Sequence, residues 1–214
     1  MNVKDTLDLL MKQLGNRKDP EFRETCLKQM TVIQQNLEGM AQLPWFLISE
    51  EATTVTTPGE RRILLPQDFI REVEEQPLTL DLVDETEDDV KIHRFGYDEA
   101  FHEFGTAASG KPFVYTIRGF YILLFPVPDD IYTLRLSGYY ARQAPPTDNV
   151  SSENQWFRWA SDLIMANTGM VMAALHIKDR EKAQDFNVMQ QTALARLERE
   201  QTAREEANRD RRMN

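Results

Sequence analysis

Apolar positions change their period twice along this chain. Residues 3–41 predict two helices. Val3, Leu7, Leu10 and Leu14 form one apolar stripe, and Gly15-Asn16 supplies the stop. Asp19-Pro20-Glu21 predicts the next start: an N-cap acceptor, a proline at the first helical position and an acid at the positive helix end. Phe22, Cys26, Met30, Ile33, Leu37 and Met40 follow at spacings of three and four, a core-facing face.

From Leu43 to Arg142 the period shortens. Val55-Thr56-Thr57-Pro58-Gly59-Glu60-Arg61 predicts two short strands around a Pro-Gly turn. Phe113, Tyr115 and Ile117 alternate with Val114, Thr116 and Arg118, and Gly119 turns the chain into Tyr121–Phe125. A third strand places Tyr132, Leu134 and Leu136 on one face and Thr133, Arg135 and Ser137 on the other. Connections this short predict an antiparallel meander. Tyr97, Phe101 and Phe104 predict a short helix ahead of it.

Helical spacing resumes after the break at 145–150. Ser152 with Gln155 reads as a capping box. Trp156, Trp159, Leu163, Ala166, Met170, Ala174 and Ile177 share a face, and Phe157, Ile164, Val171 and Leu175 widen it, so one helix is expected near the bundle centre. Asp179 is the expected cap of a last helix with the stripe Phe186, Met189, Ala193 and Leu197. Beyond Leu197 the residues are strong helix formers with i,i+4 charge pairs such as Glu200–Arg204, yet no large apolar residue recurs until Met213. A helix without a stripe frays unless a partner holds it. The predicted fold class is therefore α+β: a helical bundle from the N- and C-terminal segments with an antiparallel β-rich insertion. The parts are an N-terminal helical hairpin (1–42), the insertion with an acidic segment (43–144), C-terminal bundle helices (151–197) and a charged arm (198–214).

Charge sharpens this outline. The 214 residues carry a formal net charge of −10. Residues 67–104 hold thirteen acids and three bases, a difference equal to the whole net charge, so the rest of the chain is neutral. An acidic protein does not wrap phosphates. Apolar content of 41% suits a globular protein. No run is long enough to span a membrane. The amino end lacks an apolar stretch before its charges, so no signal peptide is expected. Cys26 is the single cysteine, which excludes an intrachain disulfide and suits a reducing cytosol.

Catalytic signals are sparse, and the reading is of a protein that is not an enzyme. His93, His102 and His176 share no metal spacing, so neither cofactor nor metal is expected. Cys26 lies on a core stripe with no base set beside it. Gly105 to Lys111 meets the Gly-x-x-x-x-Gly-Lys spacing, but Pro112 stands where a hydroxyl is needed and a strand follows in place of a helix. Asp84, Glu85, Glu87, Asp88 and Asp89 lack the pattern of a calcium loop. They read as a solvated run, with a hard-cation site or a phosphate-repelling surface as alternatives.

Several phrases in order carry a resemblance: Leu14-Gly15-Asn16-Arg17-Lys18-Asp19, Leu43-Pro44-Trp45-Phe46-Leu47, Leu65-Pro66-Gln67-Asp68-Phe69-Ile70-Arg71, Tyr115 through Pro126, Tyr132 through Leu136 and Tyr139-Tyr140-Ala141. Across most of residues 1–200 the chain resembles the adaptor, or head-to-tail connector, proteins of tailed bacteriophages, especially short-tailed ones. The resemblance implies a structural virion protein at the neck, made in the bacterial host cytoplasm. It implies a homo-oligomeric ring, a dodecamer, that binds the portal and the tail or nozzle proteins, with no membrane partner. DNA would pass through the channel without sequence-specific binding. In the family the carboxyl-terminal segment reaches onto the portal. That role falls here on residues 198–214, with Glu198, Arg199, Arg204, Arg209, Arg211 and Arg212 as docking residues, disordered in the free subunit. Asp84, Glu85, Glu87, Asp88 and Asp89 are expected to face solvent or the channel, since twelve like segments pressed together would repel. The alternatives are a tail-tube or head-completion protein of the same neck, and a cytosolic metal-dependent enzyme.

Overall fold

The computed structural model describes residues 1–17, 19–49, 51–73, 79–82, 90–106, 108–149 and 153–213, with side chains for all of these except 79–82 and 208–213. The chain forms two units. Met1–Leu47 and Gln143–Asn214 make a helical unit, and Ile48–Arg142 a β-rich one.

In the helical unit α1 (Val3–Gln13) and α2 (Pro20–Glu38) bear out the first two stripes. Val3, Leu7, Leu10 and Leu14 are buried, as are Phe22, Cys26, Met30 and Ile33. Gly15 and Asn16 both take positive φ, and the Asp19 carboxylate accepts the Glu21 N–H ahead of Pro20. The α2 stripe turns in its last two turns. Leu37 is half-buried and Met40 exposed, while Gln34 and Glu38 are buried instead. Their neighbours explain it. Gln34 Nε2 donates to the Gln143 carbonyl (2.9 Å), Asn154 Nδ2 donates to Gln34 Oε1 (2.8 Å), and Glu38 Oε1 accepts from Trp156 Nε1 (3.2 Å) and the Gln143 N–H (3.1 Å). This polar network fastens the returning chain to α2 where an apolar stripe would leave its backbone groups unpaired.

The expected central helix is broken in three: α4 (Gln155–Trp159), α5 (Ser161–Val171) and a π-helical segment Met172–Ile177. Ala160, at φ −137° and ψ 36°, makes the first break. Asn154 is the N-cap of α4, accepting the Trp156 N–H; Ser152 of the expected capping box lies outside the described residues. α5 is buried from Leu163 to Gly169 and packs against α1, α2 and α6 (Arg180–Met213), which bears out its central place. Leu175 in the π segment is exposed, because the wider turn rotates it off the buried face. Asp179 caps α6 by accepting the Lys182 N–H at 3.0 Å, and Phe186, Ala193 and Leu197 are buried along it.

The β-rich unit contains β1 (Ala52–Val55), β2 (Arg62–Leu64), β3 (Phe69–Glu72), β4 (Thr79–Leu82), β5 (Val90–Arg94), α3 (Tyr97–Phe104), β6 (Val114–Arg118), β7 (Tyr121–Phe125), β8 (Thr133–Ser137) and β9 (Tyr139–Ala141). Seven strands run in the order β1-β8-β4-β5-β6-β7-β2, and β3 pairs with β9. The β6–β7 hairpin and the alternation of β8 stand as expected, with Leu134 and Leu136 buried. The three-strand meander does not: β8 pairs with β1 and β4, on the far side of the sheet from β7. β5 and β6 are parallel, with α3 in the crossover, within an otherwise antiparallel sheet. One face, with Ile63, Ile92, Tyr115, Ile122, Leu124, Leu134 and Leu136, closes over a core that Tyr139 and Ala141 of β9 complete. On the other face Ala100 of α3 packs with Val114, Leu123 and Phe125.

The Pro-Gly turn exists, but its two strands do not pair with each other. Glu60 N–H donates to the Thr57 carbonyl (3.0 Å) around Pro58 and Gly59, with Gly59 at φ +81°, a type II turn. Type II turns splay their flanking strands, whereas hairpins favour the primed types. β1 and β2 therefore diverge to opposite ends of the sheet. Laid flat, seven strands span roughly 29 Å, more than the link of residues 56–61 reaches at about 3.5 Å per residue, so the sheet must curve and bring β1 and β2 closer than a flat sheet would.

Candidate functional site

The candidate catalytic groups do not converge. Among the described residues no group of three His, Cys, Asp or Glu side chains is placed to hold a metal ion. His93 lies on β5, His102 on α3 and His176 in the π segment, all exposed. The Cys26 thiol is buried 4.0 Å from Met11 Sδ, and burial pushes its pKa up to about 11, opposite to what a nucleophile needs. The 105–111 loop leads into β6, and its Gly110 N–H donates to the Val127 carbonyl. Asp84, Glu85, Glu87, Asp88 and Asp89 lie outside the described residues. No helix among the described residues is long and apolar enough to cross a membrane.

What stands out is the end of α6. The helix continues through residues 198–213. Two causes act together. Side-chain pairing along the helix continues: Gln201 Nε2 donates to Glu205 Oε1 at 2.7 Å, and Arg196 Nε lies 3.7 Å from Glu200 in an ion pair. The second cause is an anchor absent from the apolar stripe. Gln201 Oε1 accepts the Trp45 backbone N–H at 3.0 Å, and the Arg204 guanidinium lies 3.5 Å from the Trp45 ring centroid.

Trp45 is itself held. It opens a 3-10 turn, Trp45–Leu47, and meets Trp159 edge-on at 4.9 Å and Phe46 at 5.6 Å; Phe46 meets the buried Trp156 at 5.2 Å. One turn earlier on α6, Arg196 pairs with Asp162 at 2.8 Å. The anchor thus fixes the arm as far as Arg204. Glu198 and Arg199 are exposed on the opposite face, with Ala195, Thr202, Ala203 and Glu206 along the same shallow groove. Glu205, Glu206 and Ala207 are exposed, and the backbone at Arg209, Arg211 and Arg212 is helical. Of the expected docking residues whose side chains are described, Glu198, Arg199 and Arg204, only Arg204 is engaged by an aromatic ring of its own chain. Sequence reasoning missed Trp45 and Gln201, because a polar side chain meeting a backbone 156 positions away leaves no periodic signal.

Among the described residues, α6 has no anchor on the bundle beyond Arg204. The chain belongs to the SU10 adaptor protein family, whose family model matches residues 1–213. That membership makes it a phage head-tail adaptor, a structural component of the virion at the head-tail junction. No curated protein matches the chain.

Proposed function

We propose that the chain forms the adaptor ring that joins the portal to the tail and extends the DNA channel, as a homo-oligomer of dodecameric order with no catalytic activity. The observation that carries this reading is α6, which runs to Met213 although its last anchor on the bundle among the described residues is Arg204. The backbone stays helical for nine residues beyond that anchor, and Glu205, Glu206 and Ala207, whose side chains are described there, are all exposed, which suits a docking element. Arg209, Arg211 and Arg212, and the exposed Glu198 and Arg199, are the proposed contacts with the portal. Asp84, Glu85, Glu87, Asp88 and Asp89 are proposed to face solvent or the DNA path, and charge neutralisation of all five should change DNA ejection if they face the path.

Hydrogen exchange on the isolated chain and on its complex with the portal tests the arm. Amides of 205–213 should exchange at least about tenfold more slowly in the complex, while those of the buried stretch 163–169 stay unchanged. Equal protection of 205–213 in both states would overturn the docking role. Electron microscopy of the same complex reads the ring order directly.

A further inference from the structure

We infer that the β2 edge and the tip of the β6–β7 hairpin form a second docking surface, whose partner is an extended acidic segment of another polypeptide that adds to the sheet as a strand. This goes beyond the arm, which lies in the other unit.

The backbone comes first. Leu65 N–H donates to the Phe120 carbonyl and Leu124 N–H to the Arg61 carbonyl. Residues 61 and 65 therefore bond inward to β7, and the N–H and C=O groups of Arg62 and Leu64 point out from the last strand of the sheet. Among the described residues nothing pairs with them. Unpaired edge groups are a template for a further strand.

Side chains make this edge adhesive rather than protected. Leu64, Tyr121 and Arg118 occupy directly opposed positions across β2, β7 and β6, so they share a face. Leu64 is 65% exposed, and Phe120, at the apex of the two-residue hairpin loop, is 82% exposed, the most exposed large apolar side chain described. A hairpin apex next to Gly119 needs no aromatic residue for its geometry. An edge built only to resist pairing would carry charge or proline without an apolar patch beside it.

Charge selects the occupant. Arg62 lies 5.8 Å from the Tyr121 ring centroid and Arg118 4.0 Å from that of Tyr97, and among the described residues neither has a carboxylate partner. Two cations on an apolar patch, in a chain of net charge −10, favour carboxylates arriving from outside. Edge-to-edge pairing with a second copy fits poorly. Two-fold pairing of β2 edges would set the Arg62 side chains against each other, and β1, Ala-Thr-Thr-Val, offers no carboxylate. DNA fits poorly as well, since two cations are too few for phosphate binding at physiological salt.

The test compares the isolated chain with whole virions. Amides of Arg62 and Leu64 should exchange freely in the isolated chain and at least about tenfold more slowly in the virion. With Phe120→p-benzoylphenylalanine, irradiation of virions should give a cross-link to another polypeptide, at a stretch with carboxylates at alternate positions. The double variant Arg62→Glu, Arg118→Glu touches only exposed side chains, so it should fold as the parent does and lose that cross-link about tenfold. Unprotected amides in the virion overturn the proposal even where no substituted virion forms. So does a cross-link to DNA, to a second copy of this chain or to a segment without acids, or a cross-link unchanged in the double variant. None of these outcomes bears on protection of 205–213, so the two docking surfaces stand or fall separately.

Discussion

The two halves of α6 are one helix held in two different ways. From Arg180 to Leu197 the helix is clamped by volume: Phe186, Ala193 and Leu197 are buried, and a Cβ placed on Gly169 of α5 would lie 2.4 Å from the Phe186 ring. Gln190 Nε2 also donates to Asn167 Oδ1 at 2.9 Å across the same interface. From Glu198 onward volume gives way to one polar bond and one stacked cation on Trp45, and beyond Arg204 the described side chains Glu205, Glu206 and Ala207 are exposed. Helical conformation therefore says little about how firmly a segment is held. Packing decides that, and propensity only keeps the unpacked end regular.

Mutations should separate the halves by size of effect. Phe186→Ala removes the largest side chain in the packed half and should cost about 3–5 kcal/mol in urea unfolding. Gly169→Ala should cost about 1–3 kcal/mol by overpacking, against the roughly 1 kcal/mol that alanine gains in a helix interior. A stabilised Gly169→Ala variant would mean that the α5–α6 contact yields easily, and the contrast would fail. Arg204→Ala should cost about 0.5–2 kcal/mol at most, read as faster exchange of amides from 198 onward with α5 amides unchanged. If α5 amides also accelerate, the anchor belongs to the core. Ala207→Gly, in the unheld half, should lose about 1 kcal/mol of local helix and leave the unfolding midpoint where it was.

A smaller effect sits at the amino end, where another polar clamp can be compared with Trp45. Arg23 bonds Asp148 (2.7 Å) and Asp8 (2.6 Å), and its hydrogen bond holds the Asp148 carboxyl below its usual pKa of 3.8. A depressed carboxylate contributes stability that is full above its ordinary pKa and fades as pH falls through the folded value. The pair is partly exposed, so Asp148→Asn should lower stability by about 1 kcal/mol or less at pH 7, with the difference from the parent vanishing at low pH.

Much of the helical unit is legible in the spacing of its residues. The Val3–Leu14 and Phe22–Ile33 stripes, the Asp19 and Asp179 caps and the loss of the stripe after Leu197 follow from near neighbours alone. So does the alternation of β8. What escapes is set at long range. Gln34 and Glu38 are buried because Gln143, Asn154 and Trp156 arrive to meet them, and nothing around residue 34 announces that. The break at Ala160 carries neither glycine nor proline. Pro58-Gly59 is readable as a turn, but its strand partners depend on turn type: the type II geometry sends β1 to β8 and β2 to β7. Of the candidate site, the unheld arm is visible as an absence of apolar residues, whereas its anchor at Trp45 becomes visible only in the fold.

The interrupted helical unit also sets an order in time. α1 and α2 are synthesised first, yet α5, the helix that packs against both, follows only after the whole of Ile48–Arg142 has been made. At elongation rates of about 5–20 residues per second, Leu7, Leu10, Cys26 and Met30 wait for seconds with their apolar faces uncovered. The β-rich unit between them is contiguous in the chain and can fold during that interval. The nascent helical hairpin is thus the stage at which this protein most needs a chaperone, and slowed synthesis of the insertion should lower its soluble yield.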